Sequence, residues 1–349
     1  MFAKPALLRA CLARMRNPRI KIETRSSEAV YHCISRTNNG ERCIDDEAKE
    51  VLRSQIWQVA EYCGVQILTH VIMDNHFHVL VRVPVKSEVG DAELLRRYRV
   101  LHPRPSAARA ALMGRVGEQI KQGGGPDIAA WRKQQRALMG DVSRFMKMLK
   151  QNFAAWFNRT RGRSGVFWCE RFRSVLVEGR GKALAMTAAY IDLNPVRVGV
   201  VSDPKDYRFC GYAEAVAGAK NARAGIMAVV AGEAGGVWSR AHEAYRKWLF
   251  GADAGAGKAA SAVAAPTPAA LKKVLAEKGT LPLPSVLRCR VKQFSHGSVL
   301  GSEAFVSRHL ANYRRVTGCR KKTPVRPLPQ IADWGDVVTL RGARKKAIG

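Results

Sequence analysis

The sequence predicts an α+β fold in which an antiparallel sheet carries helices on one face, with a helical insertion and a C-terminal extension added to it. Three observations predict this. Short runs rich in β-branched residues recur at residues 29–37, 65–73 and 76–83. A helix-periodic stretch at 45–64 separates the first from the second, and another at 141–165 precedes a fourth strand candidate. Two helices and at least four strands in this order are the chain path of a ferredoxin-like sandwich.

The first strand, AVYHCISRT from Ala29 to Thr37, ends at a turn through Asn39 and Gly40. The next helix opens on acidic residues, sets Val51, Ile56, Val59 and Tyr62 at helical spacing, and stops at Gly64. VQILTHVIM and HFHVLVRV are then two strands joined through Asp74 and Asn75. A two-residue turn there pairs Met73 with His76 and Val71 with His78, which sends His70 to the opposite face. Residues 86–140 are polar and arginine-rich around KQGGGPD and read as a helical insertion. From Asp141 the period returns, with Phe145, Met148, Leu149, Phe153 and Trp156 on one side and basic residues on the other. VFWCERFRSVLVEG is the next strand candidate, and the helix through KALAMTAAYIDLNP must end near Pro195, because proline disfavours helix at the residue before it.

This organisation divides the chain into four segments: a basic N-terminal stretch (1–28), a main domain (29–250), an Ala/Gly/Pro-rich linker (251–285) and a basic extension (286–349). The linker predicts that the chain up to Phe250 folds without the extension. A helix is expected from Ser302 to Tyr313, and disorder in the closing RGARKKAIG.

Charge narrows the partner. The 59 lysines and arginines against 28 acidic residues leave +31, which favours a polyanion such as nucleic acid over a membrane surface, since no basic amphipathic helix dominates. Eight cysteines without a CxxC pair suggest neither a zinc ribbon nor a disulfide framework. No apolar stretch reaches membrane-spanning length, so a cytoplasmic protein is expected.

The chemistry centres on THVIMDNHFHVLVRV. Side chains alternate along a strand, so His76 and His78 share a face while Phe77 enters the other layer. Two imidazoles on one face can share a metal ion, although such a pair in a sheet is more often structural. Tyr190 and Asn194 lie four residues apart and project from the same side of a helix. A tyrosine oxygen attacks a phosphodiester when a divalent ion, held by two imidazoles and an amide oxygen, offsets the charge that develops. The plainer reading is a core tyrosine followed by a capping asparagine. Arg171 and Arg173 flank Phe172 beside Trp168, a pattern suited to phosphate contacts with base stacking. A histidine-triad hydrolase would need a further histidine where Leu80 stands.

The segments VYHCISRTNNGERCIDDE, THVIMDNHFHVLVRVP, GVFWCERFRSVLVE and AAYIDLNPVRVGVVSDPKDYRFCGY resemble, in order and context, the REP-associated tyrosine transposases of the HUH single-tyrosine superfamily. The resemblance runs from about Ala29 to Tyr212. It implies a ferredoxin-like sheet, His76, His78 and Asn194 as ligands of a divalent magnesium or manganese ion, Tyr190 as nucleophile, and Arg36, Trp168, Arg171 and Arg173 as DNA contacts. The implied activity is cutting and rejoining single-stranded or hairpin DNA through a 5′-phosphotyrosine intermediate, in a bacterial cytoplasm and at the nucleoid when bound. A monomer is favoured over a dimer, and the alternative function is a domesticated hairpin-binding protein that does not cleave. Two positions depart from the pattern: Asp74 stands where many relatives carry proline, and Thr37 where they carry glycine. Neither removes a reacting group, but both bear on turn geometry and on backbone approach near Arg36.

Overall fold

Four strands form the centre of the sheet: β1 (Ala29–Arg36), β2 (Gln66–Met73), β3 (His76–Val83) and β4 (Arg173–Val177). They lie in the order β2-β3-β1-β4 with every neighbour antiparallel. With helix α1 (Asp46–Cys63) between β1 and β2, and α5 (Val142–Thr160) before β4, this is the expected ferredoxin-like core. The computed structural model describes residues 20–22, 27–252, 273–274, 276–277, 279–317 and 325–340. Most of the predicted N-terminal segment, most of the linker and the last nine residues lie outside it.

Local chemistry accounts for the element ends. The Asp45 carboxylate caps α1 by accepting from the Ala48 amide at 2.9 Å, and Gly64 closes it in a left-handed conformation (φ 64°) that a side chain would strain. Asp141 caps α5 through the Ser143 and Arg144 amides. The Asp74-Asn75 turn produces the anticipated register, Met73 opposite His76 and Val71 opposite His78.

One face of the sheet is covered by α1 and α5, where Phe77 meets Trp168 edge to face and Phe153 packs against the same indole. Leu52, Ile56, Phe145, Leu149 and Phe153 are fully buried in this layer. Each contributes roughly 1.5–3 kcal/mol by leaving water. The insertion forms three helices, α2 (Asp91–Leu101), α3 (Ala107–Lys121) and α4 (Pro126–Arg136), the first of which packs on α1.

The expectation of helices on one face needs correction. Helix α6 (Gly181–Asp192), continued by the short α7 (Asn194–Arg197), covers the opposite face. With both faces covered, β1, β2 and β3 are buried almost throughout, which is why they read as continuous apolar runs rather than alternating ones.

The extension is not set apart either. Helix α8 (Leu283–Leu287), which begins inside the predicted linker, and α9 (Lys292–His296) lead into β5 (Val299–Ser302), which pairs in parallel with β4. The predicted helix at Ser302–Tyr313 is two short ones, α10 (Glu303–Arg308) and α11 (Leu310–Thr317). Strands β6 (Arg326–Pro327) and β7 (Val337–Thr339) then complete a mixed seven-stranded sheet. The physical reason is the edge: the buried Val175, Leu176 and Val177 of β4 need a cover, and β5 supplies both hydrogen bonds and apolar surface.

Candidate active site

The site lies on the α6 face, at the β2–β3 turn. Antiparallel pairing sets Arg36 opposite His76 and Ile34 opposite His78, so β1 brings His32, Ile34 and Arg36 to the histidine face. The His76 and His78 ring centroids are 5.2 Å apart, and those of His32 and His78 are 5.0 Å apart. Tyr190 comes from α6 above the sheet, its ring centroid 6.5 Å from that of His78 and 6.3 Å from that of His32. Phe294 of α9 stacks on Tyr190 at 4.9 Å, and the Arg197 guanidinium lies 4.2 Å from the centre of the same ring. Arg197 also donates to the carbonyls of Tyr190 (3.0 Å), Leu287 (2.8 Å) and Arg288 (3.1 Å), which ties the extension to the end of α6.

These groups border a cavity of about 480 Å³ that His76, His78, Tyr190 and Asn194 line together. Arg36, Arg171, Arg173, Arg197 and Arg290 line it too, with His296. The acidic groups at its wall are already paired, Asp74 with Lys49 and Arg42, and Glu170 with Arg173. Among the described residues Arg36, Arg171 and Arg290 have no ion-pair partner. Partial burial, then Arg290 and Arg173, pull the Arg36 guanidinium below its ordinary range. A pocket of unneutralised arginines attracts an anion such as phosphate.

The histidines are neutral at pH 7. Burial is the main cause for all three: it brings His32 down to about 4, brings His76 to about 3 with help from Arg36, Arg197 and Arg290, and pushes His78 far below its ordinary value. Neutral imidazole is the form that ligates metal. Nδ1 of His76 is 2.7 Å from Asn75 Oδ1 and Nδ1 of His78 is 2.8 Å from His32 Nε2, which leaves the two Nε2 atoms for a ligand. Among the described residues no group of three or more His, Cys, Asp or Glu could hold a metal. An ion here would therefore rest on His76, His78 and the Asn194 amide oxygen. Two imidazoles and one amide carry no negative charge, so a bound phosphate would have to strengthen such a set toward a hard divalent ion.

Seven of the eight residues singled out from the sequence line this cavity. Trp168 is the exception and a correction. Its indole is 7% exposed, sits among Phe77, Phe153 and Phe167, and donates from Nε1 to the Lys150 carbonyl at 2.9 Å. Packed in this way it stands apart from the cavity that the other seven line, and the strand read from VFWCERFRSVLVEG begins only at Arg173. His70, as expected, is on the other face, against Trp57 and Glu214. Sequence reasoning missed His32, Arg197, Arg290 and Phe294. Strand parity with Arg36 was the available signal for His32, whereas the residues of the extension had none.

A two-histidine face opposed by a helical tyrosine in an arginine-lined cavity on a ferredoxin-like sheet defines the class of site. Residues 25–92 match the family model described as "Transposase IS200 like". The match holds β1, α1, β2 and β3 with both histidines, and ends before Tyr190. The chain is also similar to the structure of a REP-associated tyrosine transposase bound to a REP hairpin, at 16% identity, over 55% of this chain and 81% of that one, with a TM-score of 0.32. No curated protein matches it. Among the described residues, no helix is long and apolar enough to cross a membrane.

Proposed function

We propose that this chain is a metal-dependent transposase that cuts and rejoins single-stranded DNA through a covalent bond to Tyr190. The observation that carries this is the meeting of Tyr190 with two neutral histidines across an arginine-lined cavity. When bound by His76, His78 and Asn194, a magnesium or manganese ion would supply Lewis-acid polarisation of the scissile phosphate.

The chain's own groups do the rest. Arg36, Arg173 and Arg290 engage the DNA backbone and hold the phosphodiester against the histidine face. Tyr190 Oη attacks phosphorus, the new O–P bond forms as the P–O3′ bond breaks, and the phenolic proton is lost as the 3′ oxygen leaves as a hydroxyl. The phosphate stays on Tyr190 as the 5′ end. Attack by a 3′-hydroxyl reverses the step, so the bond energy is conserved and no nucleotide is consumed. Phe294 and Arg197 grip the two sides of the ring and fix its direction.

One observation favours a second reading, a hairpin-binding protein that does not cleave. Tyr190 is only 2% exposed, held between Phe294 and Arg197. The two readings separate on one gel. The full chain is incubated with single-stranded and hairpin DNA plus manganese, and a covalent adduct is sought under denaturing conditions. An adduct that maps to Tyr190 supports the enzyme, and tight binding with no adduct supports the binding protein.

A further inference from the structure

We propose that His32 is a positioning residue that sets the tautomer of His78, and that the C-terminal extension takes part in the site through the Phe294 backbone carbonyl. The proposal rests on the reading of His78 as a metal ligand but can be tested apart from it. His32 Nδ1 lies 2.7 Å from the Phe294 carbonyl oxygen, in a fully buried contact that bridges 262 positions of sequence. A carbonyl oxygen can only accept, so Nδ1 carries the hydrogen. In neutral His32 the lone pair then sits on Nε2, and Nε2 is 2.8 Å from His78 Nδ1. That nitrogen must donate, which leaves the His78 lone pair on Nε2, the atom a metal would need. The reverse tautomers would set two lone pairs against each other at 2.7 Å inside the protein.

The Phe294 carbonyl is available because α9 ends at His296, within its last turn, where helical carbonyls lack a helical partner. Phe294 is itself fully buried, with its ring on Tyr190. One residue of the extension therefore touches the proposed nucleophile with its side chain and orients a proposed ligand with its backbone.

His76 is fixed independently. Asn75 Nδ2 donates to the Gly40 carbonyl at 3.0 Å, which turns Oδ1 toward His76 Nδ1 at 2.7 Å. It is an internal control, because its tautomer does not pass through His32.

The test uses the full chain with nitrogen-15 in its histidines. Long-range proton–nitrogen correlation of the metal-free protein reports which ring nitrogen bears hydrogen, and calorimetry measures manganese binding. In the wild type, His32, His76 and His78 should all carry hydrogen on Nδ1. His32→Phe should release His78 from that tautomer, leave His76 unchanged, and weaken manganese binding about 10- to 100-fold. His32→Gln, whose amide oxygen can accept where Nε2 did, should keep the His78 tautomer and most of the affinity. A wild-type His78 with its hydrogen on Nε2 overturns the proposal, as does a His32→Phe protein with unchanged tautomer and unchanged affinity. Should His32→Phe not fold, His32→Asn, too short to reach His78, takes its place. Tautomers that follow His32 in a protein that binds no manganese would uphold the positioning role and remove the metal from the proposed function.

Discussion

Acidification of the metal-free protein from pH 7.5 to 5.5 should cost about 3 kcal/mol of stability, because its buried imidazoles take up protons only after unfolding. The ordinary histidine value of 6.5 falls to about 4 for His32 and about 3 for His76, and burial holds His78 well below 6.5 too. A lowered folded value means that the unfolded chain binds more protons below pH 6.5. Stability is therefore complete above that point and is lost as the pH falls toward the folded values. At pH 5.5 each such histidine favours the unfolded state by somewhat more than about 1 kcal/mol, so the three together give roughly 4 kcal/mol. Asp192 acts in the opposite sense. Burial raises it to about 6 against hydrogen bonds from Thr69, Tyr245 and Cys210, so the folded state gains a proton over the same interval and recovers roughly 1 kcal/mol. His70, buried on the other face and lowered as well, adds to the loss. Urea unfolding followed by tryptophan fluorescence, with chelator present, should show the midpoint drop by about 1 M or more between the two pH values. An unchanged midpoint would mean that these imidazoles are not held neutral, and the argument for ready metal ligands would fall with it.

Tyr190→Phe should abolish the DNA adduct while thermal stability and DNA affinity stay close to wild type; peptide mapping that places the phosphate on Tyr207 or Tyr212 would move the active site. His76→Ala, or a chelator, should stop cleavage and leave hairpin binding within a few-fold, and full cleavage in chelator would refute a metal role. Ending the chain after Phe250 should leave a protein that is insoluble or lacks cooperative melting, since it strips β5 from β4 and Phe294 from Tyr190; a sharply melting, soluble fragment would restore the separate-extension reading. Arg290→Ala should weaken single-stranded DNA binding regardless of sequence and lower the slope of log affinity against log salt by about 0.7, an effect absent if Arg290 makes no phosphate contact.

Much of the core was legible in the chain itself. Alternation at His76-Phe77-His78, the Asp74-Asn75 turn and the helical period from Asp141 are local patterns, and each produced the register or element that it implied. Tyr190 and Asn194 do line one cavity, although Tyr190 lies on α6 and Asn194 opens α7 beyond a break at Leu193. The expectations that failed depended on contacts between distant segments. Trp168 stood in a basic, aromatic stretch that suits base stacking, yet its fate turned on Phe77 and Phe153 reaching it from other elements. The Ala/Gly/Pro composition of residues 251–270 implied independence for the C-terminal extension, because composition cannot show that β4 has an edge to cover. The sequence by itself determined the central strands, the pairing of β2 with β3 through its tight turn, and the types of residue at the site. Only the tertiary structure decided that His32 stands behind His78 and that Phe294 closes over Tyr190, because a contact across 262 positions is set by how whole layers pack and leaves no local period to read.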